Sequence, residues 1–299
     1  MRFPFTGVIP VDKPAGVTSR KVVDVVARAV GMAAVGHAGT LDPLAAGVMV
    51  VCVGHATKLV DFIHQQPKRY EAVFRLGCQS PSDDLETPVE EEPHPRQPAR
   101  EEIEAALPRF RGEILQRPCD YSAVHVDGKR AYRLARKGRE VALQEKPVRI
   151  DRLDITHYAW PRLAVAVECS SGTFIRAIGR DLAAALGTRA VMESLDRTVV
   201  GPFARASCLP LGQITPDSIA AALLPAGTAV PHLPRCNLAA PDLDVAIRGG
   251  LIPLSPDLAA SPAPHEAVAA FDETGELVGI LRRHDSGAFR LKPNFRGLG

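Results

Sequence analysis

A glycine-flanked turn that carries one carboxylate, followed at once by an apolar run, is the feature that most constrains the fold of this chain. The turn is residues 39–43, sequence GTLDP, and the apolar run is residues 48–53. Glycine permits backbone conformations that a Cβ forbids, proline fixes φ, and a short bounded apolar run is typical of a buried strand. The sequence therefore predicts that Asp42 is held rigidly at a sheet edge, although turn chemistry alone would make it an ordinary turn residue.

Length and charge limit what the chain can be. Its 299 residues suffice for one large domain with a full core and a small second one. A formal net charge of +2 is nearly balanced, so any nucleic-acid surface must be a local patch. Residues 117–152 contain ten Lys and Arg against five Asp and Glu, an excess that could equally be a solvated helix face.

Cysteine usage and hydropathy exclude several classes of protein. The six cysteines are dispersed, with no CxxC pair and no histidine at ligand spacing beside them, so neither a zinc site nor a disulfide framework is predicted. No stretch approaches the ~20 apolar residues of a membrane span, and no basic region precedes an apolar leader. We therefore expect a cytoplasmic protein that contacts no membrane and binds no metal.

Hydrophobic periodicity predicts the main elements. Helical spacing relates Val22, Val23, Val26 and Val30, with Thr18 or Ser19 as the cap and Gly31 as the end. Residues 69–76 alternate as a half-buried strand does, which turns Tyr70 inward. Further strands are predicted at 150–155, 163–169, 267–271 and 277–281, further helices at 103–110, 173–186 and 216–224, and an acidic, proline-rich surface loop at 79–101.

Ordered motifs over roughly the first two-thirds of the chain resemble one enzyme family. The motifs are GVIPVDKPAGVTS at 7–19, GHAGTLDPLAAGVMVVCVGHATKL at 36–59, KRY at 68–70, YSA, GKRAY and ARKG between 121 and 138, SGTFIR at 171–176 and LDRTVVGPF at 195–203. Together they resemble the TruB family of tRNA pseudouridine synthases, whose GTLDP loop carries the catalytic aspartate. The resemblance implies an enzyme that isomerises uridine to pseudouridine at position 55 in the T-loop of tRNA by base flipping.

The family resemblance also implies the architecture. We expect an α+β pseudouridine synthase fold, in which helices flank a central mixed, largely antiparallel sheet. The catalytic domain would span residues 1–232 and contain an inserted basic RNA-binding stretch at about 120–150. A small β-rich, PUA-like RNA-binding module would occupy residues 237–299, where the motif match is weak.

The same resemblance assigns roles to individual residues. Asp42 would be the nucleophile, by addition to C6 of uracil, attack on C1′ or abstraction of a sugar proton, three pathways that the sequence leaves open. A carboxylate near an aromatic pocket tends to be neutralised by desolvation, so we expect Arg176 to hold it ionised through a two-point grip. Tyr70 would stack on the uracil, Leu195 would line the pocket, and His37 would assist base extrusion.

RNA contacts are assigned in the same way. The RNA-binding residues that we predict are Lys13, Lys68, Lys129, Arg130, Arg133 and Arg136. The chain departs from the family pattern at His125, Cys119 and Asp196, and His125 weakens one expected phosphate contact because a neutral imidazole releases no counterion. The partner would be the tRNA T-stem-loop, bound by a monomer that needs no cofactor and no obligatory protein partner.

Competing interpretations are weaker. A guide-RNA-dependent relative shares the TLDP loop but generally lacks the basic stretch at 120–150. An RNA chaperone without chemistry is disfavoured by the intact set of Asp42, Tyr70 and Arg176. A glycosidase would need a second carboxylate with a motif around it, and a P-loop protein would need GK[ST] after the glycines.

Overall fold

Two β-sheets organise the fold, and one of them is large. The computed structural model describes residues 6–122, 125–126, 129–135, 143–253 and 267–296. The strands are β1 Gly7–Lys13, β2 Val35–His37, β3 Ala46–Val53, β4 Lys68–Leu76, β5 Cys78–Gln79, β6 Glu90–Glu91, β7 Gly112–Gln116, β8 His125–Val126, β9 Lys129–Arg130, β10 Lys146–Ala159, β11 Arg162–Cys169, β12 Ala190–Val200, β13 Phe203–Ala204, β14 Leu209–Pro210, β15 Arg235–Asn237, β16 Leu251–Ile252, β17 Ala267–Phe271, β18 Leu277–Arg283 and β19 Phe289–Asn294.

Short helices surround these strands. The α-helices are α1 Ser19–Val30, α2 Val60–His64, α3 Arg100–Ala106, α4 Ala131–Ala135, α5 Ile175–Ala185, α6 Pro216–Ala222 and α7 Ala240–Ile247. Single 3₁₀ turns lie at Gly54–Leu59, Leu107–Phe110, Arg205–Ser207, Leu211–Gln213 and Ala226–Ala229. The longest of these helices, α1, has 12 residues, and no described helix is both long and apolar enough to cross a bilayer.

Helix α1 forms as the sequence predicts. The Thr18 side chain accepts a hydrogen bond from the backbone N–H of Lys21, and Gly31 ends the helix in the left-handed conformation with φ +66°. The valine face is buried against β1 and β3. Because these signals are local, both helix ends could be predicted from the sequence.

The large sheet is mixed and mostly antiparallel, which confirms the predicted fold class. Its main path runs β14-β1-β3-β12-β4-β11-β10-β7, with β2 paired to β3 and β13 paired to β12. The β12 strand pairs parallel with β3 and antiparallel with β4. These pairings bring the end of the Asp42 loop, the start of β4 and the middle of β12 together, although they lie far apart in the sequence.

Most of the acidic segment at 79–101 is an exposed loop, as predicted, but its first part enters the interior. Ser82 and Asp84 are buried, and the short strands β5 and β6 pair within the segment. Asp84 folds inward because its carboxylate meets the buried guanidinium of Arg176, and its second oxygen accepts hydrogen bonds from Ser82 and the backbone of Glu86. The prediction was wrong here because a proline-rich acidic composition does not show that one acid has an interior partner.

The C-terminal sheet shares a hydrophobic core with the rest of the chain. Its order is β15-β17-β18-β19-β16, and β17 and β18 lie where strands are predicted. Phe271, Ile280 and Phe295 belong to one buried cluster with Val50 and Phe62 of the larger part. The division into domains near residues 232–237 stays a prediction, and the shared cluster means that the two parts pack tightly.

Candidate active site

The loop that carries Asp42 is held by hydrogen bonds on both sides of the carboxylate. It joins β2 to β3, and the Ser19 hydroxyl at the start of α1 bonds both the N–H and the carbonyl of Leu41 at 2.9 Å. On the other side, the Gly16 N–H donates to the Pro43 carbonyl at 2.7 Å. The loop is therefore held in place on both sides of Asp42, as the sequence predicts, but it leads into β3, an inner strand between β1 and β12, so the predicted position at a sheet edge is wrong.

Arg176 is the buried cation of this site. It is the second residue of α5 and is 5% exposed. Its Nη2 lies 3.0 Å from the Asp42 carboxylate and its Nη1 lies 3.3 Å from the Asp84 carboxylate. The same nitrogens donate to the carbonyls of Ser82 and Tyr121 at 2.7 and 2.9 Å. The expected two-point grip on Asp42 is thus wrong, because the planar guanidinium is shared between two carboxylates.

This arrangement sets the charge of the site. Burial raises the pKa of Asp42 above its ordinary value, Arg176 opposes this shift, and Asp84 and Glu86 add to it. Burial lowers the pKa of Arg176, but the carboxylates of Asp42 and Asp84 outweigh it, so that pKa lies above its ordinary value. The ionised form of the Asp42 carboxylate is therefore disfavoured by burial and favoured by one permanent cation, Arg176.

A small cavity of about 150 Å³ opens beside the carboxylate. Its walls are Thr40, Leu41, Asp42, Tyr70, Ser122, Thr173, Phe174, Ile175, Arg176 and Leu195. The cavity thus contains four of the predicted site residues, Asp42, Tyr70, Arg176 and Leu195. Burial raises the pKa of the Tyr70 hydroxyl, and the nearby guanidinium of Arg197 opposes that shift. A slot that combines apolar side chains and one tyrosine ring with hydroxyls and one charged pair suits a flat, neutral ring with polar edges.

A larger cavity of about 700 Å³ adjoins the first one and shares Thr40, Leu41, Asp42 and Ser122 with it. The predicted residue His37 lines this second cavity, together with Tyr121 and Tyr132. Burial, then Arg197 and His64, lower the pKa of His37, so its imidazole is neutral at neutral pH. The Asp42 side chain lies where the two cavities meet.

Two predicted RNA contacts lie in the interior instead. Lys13 is 0% exposed, and its ammonium donates to the carbonyls of Pro14 at 3.0 Å and Val17 at 2.7 Å. Lys68 is likewise buried and donates to the carbonyls of His64 at 2.5 Å and Gln66 at 2.7 Å. Burial and then Arg197 lower the pKa of each lysine to about 8. An RNA contact by either ammonium would require these carbonyl bonds to break, so we do not retain that assignment.

The side chains of the remaining predicted RNA contacts, Lys129, Arg130, Arg133 and Arg136, lie outside the described residues, as does that of His125. Of the other two departures from the family pattern, Cys119 is buried and the Asp196 carboxylate pairs with Arg205. Within the described ranges, no group of three or more His, Cys, Asp or Glu side chains could hold a metal ion.

Sequence reasoning missed two residues of this site. Asp84 shares the Arg176 guanidinium with Asp42, yet nothing distinguished it from its acidic neighbours in the sequence. Arg197 is 2% exposed on β12 and donates to the carbonyls of Val48 at 2.8 Å and Gly39 at 3.0 Å. Its place inside the LDRTVVGPF motif was a signal that a role should be sought for it.

Solved structures of two ribonucleoprotein-related complexes contain a chain with the same fold. The chain is similar to a component of an H/ACA RNP bound to a substrate RNA containing 2′-deoxyuridine, with a TM-score of 0.74 at 21% identity over 97% of this chain and 84% of that one. It is also similar to a component of a Cbf5-Nop10-Gar1 complex, with a TM-score of 0.70 at 22% identity over 97% and 85% of the two chains. At this identity the likeness establishes the fold alone.

Relatives found by sequence have higher identity to this chain than these solved structures do. The chain is 40% identical over 257 residues to the tRNA pseudouridine synthase B of Gluconacetobacter diazotrophicus, covering 84% of each chain. It is 38% identical over 299 residues to the tRNA pseudouridine synthase B of Parasynechococcus marenigrum, covering 98% of each. Residues 27–175 match the family described as TruB family pseudouridylate synthase, N terminal domain. From these matches and the fold, this chain belongs to the TruB family of pseudouridylate synthases.

Proposed function

We propose that this enzyme isomerises uridine to pseudouridine at position 55 in the T-loop of tRNA, alone and without guide RNA, metal or cofactor. The observation that carries the proposal is the Asp42 carboxylate, held 3.0 Å from the buried Arg176 guanidinium in a cavity that Tyr70 and Leu195 also line. The tRNA substrate is supported by relatives that are named tRNA pseudouridine synthase B at 38–45% identity.

The reaction needs little more than this site offers. The N-glycosidic bond breaks, the detached uracil turns, C5 bonds to C1′, and the proton of C5 leaves while N1 gains one, so no net oxidation or reduction occurs. Addition of Asp42 to C6, attack on C1′ and abstraction of a sugar proton all require an ionised carboxylate at the base or sugar. Arg176 favours that ionised form by opposing the effect of burial on the Asp42 pKa.

The cavity would also retain the detached base. A uracil enters it only after it leaves the RNA stack, which makes base flipping part of the proposal. The Tyr70 ring can stack on the base, and its hydroxyl would lie near C5, while Leu195 closes the apolar side. The adjoining cavity, with Tyr121, Tyr132 and His37, would accept the neighbouring nucleotides that move with the target.

The basic stretch at about 120–150 would bind the phosphates of the T-stem-loop. Its excess of positive charge matches the requirement that a nearly neutral protein bind RNA through a local patch. The C-terminal module would add a second RNA contact.

Pseudouridine mapping on one tRNA tests the proposal. Purified protein is incubated with an unmodified tRNA transcript, with and without EDTA, and pseudouridine is mapped by carbodiimide treatment and primer extension. We expect one stop, at position 55, that EDTA does not remove and that a transcript with cytidine at that position lacks. A product that forms only when guide RNA is added, or that EDTA abolishes, contradicts the proposal. An Asp42→Asn variant that binds tRNA and yields no product separates catalysis from RNA chaperoning.

A further inference from the structure

Arg197 carries a buried charge for which the proposed reaction has no use. Its side chain is among the largest of the fully buried ones, and no ion pair to a carboxylate is found for it among the described residues. Its guanidinium donates to three backbone carbonyls: those of Val48 at 2.8 Å, Gly39 at 3.0 Å and Thr40 at 3.5 Å. Burying an unpaired cation is costly, so the carbonyls must compensate for most of the lost hydration.

Two of those carbonyls belong to the Asp42 loop. Gly39 and Thr40 lie three and two residues before the carboxylate, and Val48 lies in the strand that follows it. Arg197 therefore joins the entrance of the loop to β3. Gly39 has φ +104°, and a Cβ at that position would lie 3.3 Å from the Arg197 Nη1. Any other residue at position 39 would therefore strain the backbone and crowd the guanidinium.

Tyr70 lies on the other side of the same guanidinium. In the antiparallel pairing of β12 with β4, Arg197 and Tyr70 are direct cross-strand partners, so their side chains lie side by side on one face of the sheet. The charge of the guanidinium acts on the Tyr70 hydroxyl, whose pKa it lowers against the effect of burial. A guanidinium carries only donors, so beside it the phenol turns its oxygen toward Arg197 and its proton away.

We propose that Arg197 is a positioning residue that sets the placement of the Asp42 loop relative to Tyr70, because it bonds the loop to β3 from the position directly opposite Tyr70 on β12. This inference rests on the proposed function, because it assigns Asp42 and Tyr70 to one reaction in one cavity. The fork geometry of arginine is essential to it, since the three carbonyls are bonded by different nitrogens of one side chain. Lysines 13 and 68, beside it, each bond the carbonyls of one local segment only.

A double-mutant cycle of Arg197→Lys with Tyr70→Phe tests the inference. The measurements are single-turnover pseudouridine formation at saturating tRNA, the Kd for tRNA, and the melting temperature. We expect Arg197→Lys to lower the rate by about 10²-fold while tRNA affinity changes by less than about threefold, because misplacement of a reacting group costs rate and leaves binding intact. The double variant should be little slower than the slower single variant, because both changes break the same contact.

Arg205→Gln is the matched control. Arg205 follows Arg197 by eight residues and pairs with Asp12 and Asp196, but it contacts neither the Asp42 loop nor Tyr70 in the described structure. We expect its rate to stay within about threefold of the parent. A folded Arg197→Lys variant with the parent rate overturns the inference, as does a cycle in which the two effects simply multiply.

A second measurement needs no Arg197 variant and no activity. In ¹⁵N-arginine NMR spectra of the tRNA-free protein, Tyr70→Phe should shift one slowly exchanging guanidinium signal and speed its exchange with water. Unchanged spectra overturn the inference even if Arg197→Lys fails to fold. If the parent protein modifies no tRNA, the proposed function fails, and this spectrum still decides whether Arg197 contacts the Tyr70 hydroxyl.

Discussion

Two buried arginines lie in the same site and are bound in opposite ways. Arg176 contacts the carboxylates of Asp42 and Asp84, at 3.0 and 3.3 Å. Arg197 donates to backbone carbonyls of the Asp42 loop and of β3. One cation is therefore paired with ionised groups and the other is solvated by the backbone.

The difference indicates that two separate arginines act on the charge of Asp42 and on the backbone that holds it. Two carboxylates compensate for the desolvation of Arg176, and Arg176 in return opposes the rise that burial causes in the Asp42 pKa. Carbonyl dipoles cannot cancel a full charge, so Arg197 acts on its neighbours: after burial itself, it is the next cause that lowers the pKa of Lys13 and Lys68 to about 8. We infer that Arg176 controls the charge of the nucleophile and that Arg197 controls the path of the backbone.

Removing the charge of Asp42 is the strongest test of the role that we assign to the pair of Asp42 and Arg176. Asp42→Asn should lower single-turnover pseudouridine formation by at least about 10⁴-fold, the order of loss seen when a nucleophile is removed. The Kd for tRNA, measured by filter binding, should stay within a few-fold because the side-chain volume is kept. Appreciable residual activity would mean that another acid is the nucleophile.

Replacing Arg176 by lysine tests whether its shape matters as well as its charge. The single ammonium of lysine cannot replace two guanidinium nitrogens that contact two different carboxylates. Arg176→Lys should therefore lower the rate by about 10²- to 10³-fold. Arg180→Lys is the matched control, because Arg180 lies one turn later on α5 and pairs with Asp83 and Asp181 outside the cavity. Equal rates for the two variants would show that any cation at position 176 suffices.

The basic stretch tests whether RNA is bound by surface cations or by the interior ones. Neutralising Lys129, Arg130, Arg133 and Arg136 together should weaken tRNA binding and flatten the slope of log K against log salt by up to ~0.9 per lost phosphate contact, treating stem RNA like duplex DNA. The rate at saturating tRNA should change much less.

The Lys68→Met variant is the comparison. Because Lys68 is bonded to interior carbonyls, this substitution should lower the melting temperature and leave the salt slope unchanged. A maximal rate that collapses in the quadruple variant with the salt slope intact would place the stretch in the active site.

The smallest effect concerns stability. Burial raises the folded-state pKa of Asp42 above 3.8, so the folded protein holds this proton more tightly than the unfolded chain does. Stability from this group is therefore present at low pH and is lost as pH rises through the folded pKa. The Asp42→Asn side chain cannot ionise, so the melting temperature of this variant should rise relative to that of the parent as the pH is raised above 3.8. A difference that shrinks over this range would show that Arg176 more than compensates for burial.

Local signals in the sequence were enough for much of the fold. The cap at Thr18, the end of α1 at Gly31 and the strands around residues 48–53 and 69–76 depend on neighbours along the chain, and each is confirmed. The motif resemblance extended this reasoning to the site, where Asp42, Tyr70, Arg176 and Leu195 line one cavity. The predicted roles of these residues in the reaction await the experiments above.

What the sequence by itself determined is the short-range structure, namely both ends of α1, the strands β3 and β4 and the turn that holds Asp42, because turn residues and apolar periodicity act over a few positions. Only the tertiary structure decided that Asp84 is buried with Arg176, that Lys13 and Lys68 face inward, and that Arg197 lies across the sheet from Tyr70. Those facts depend on strand register between distant segments. A charged residue looks the same in the sequence whether water or a carbonyl will solvate it, and the register of β12 against β4 and β3 settles which.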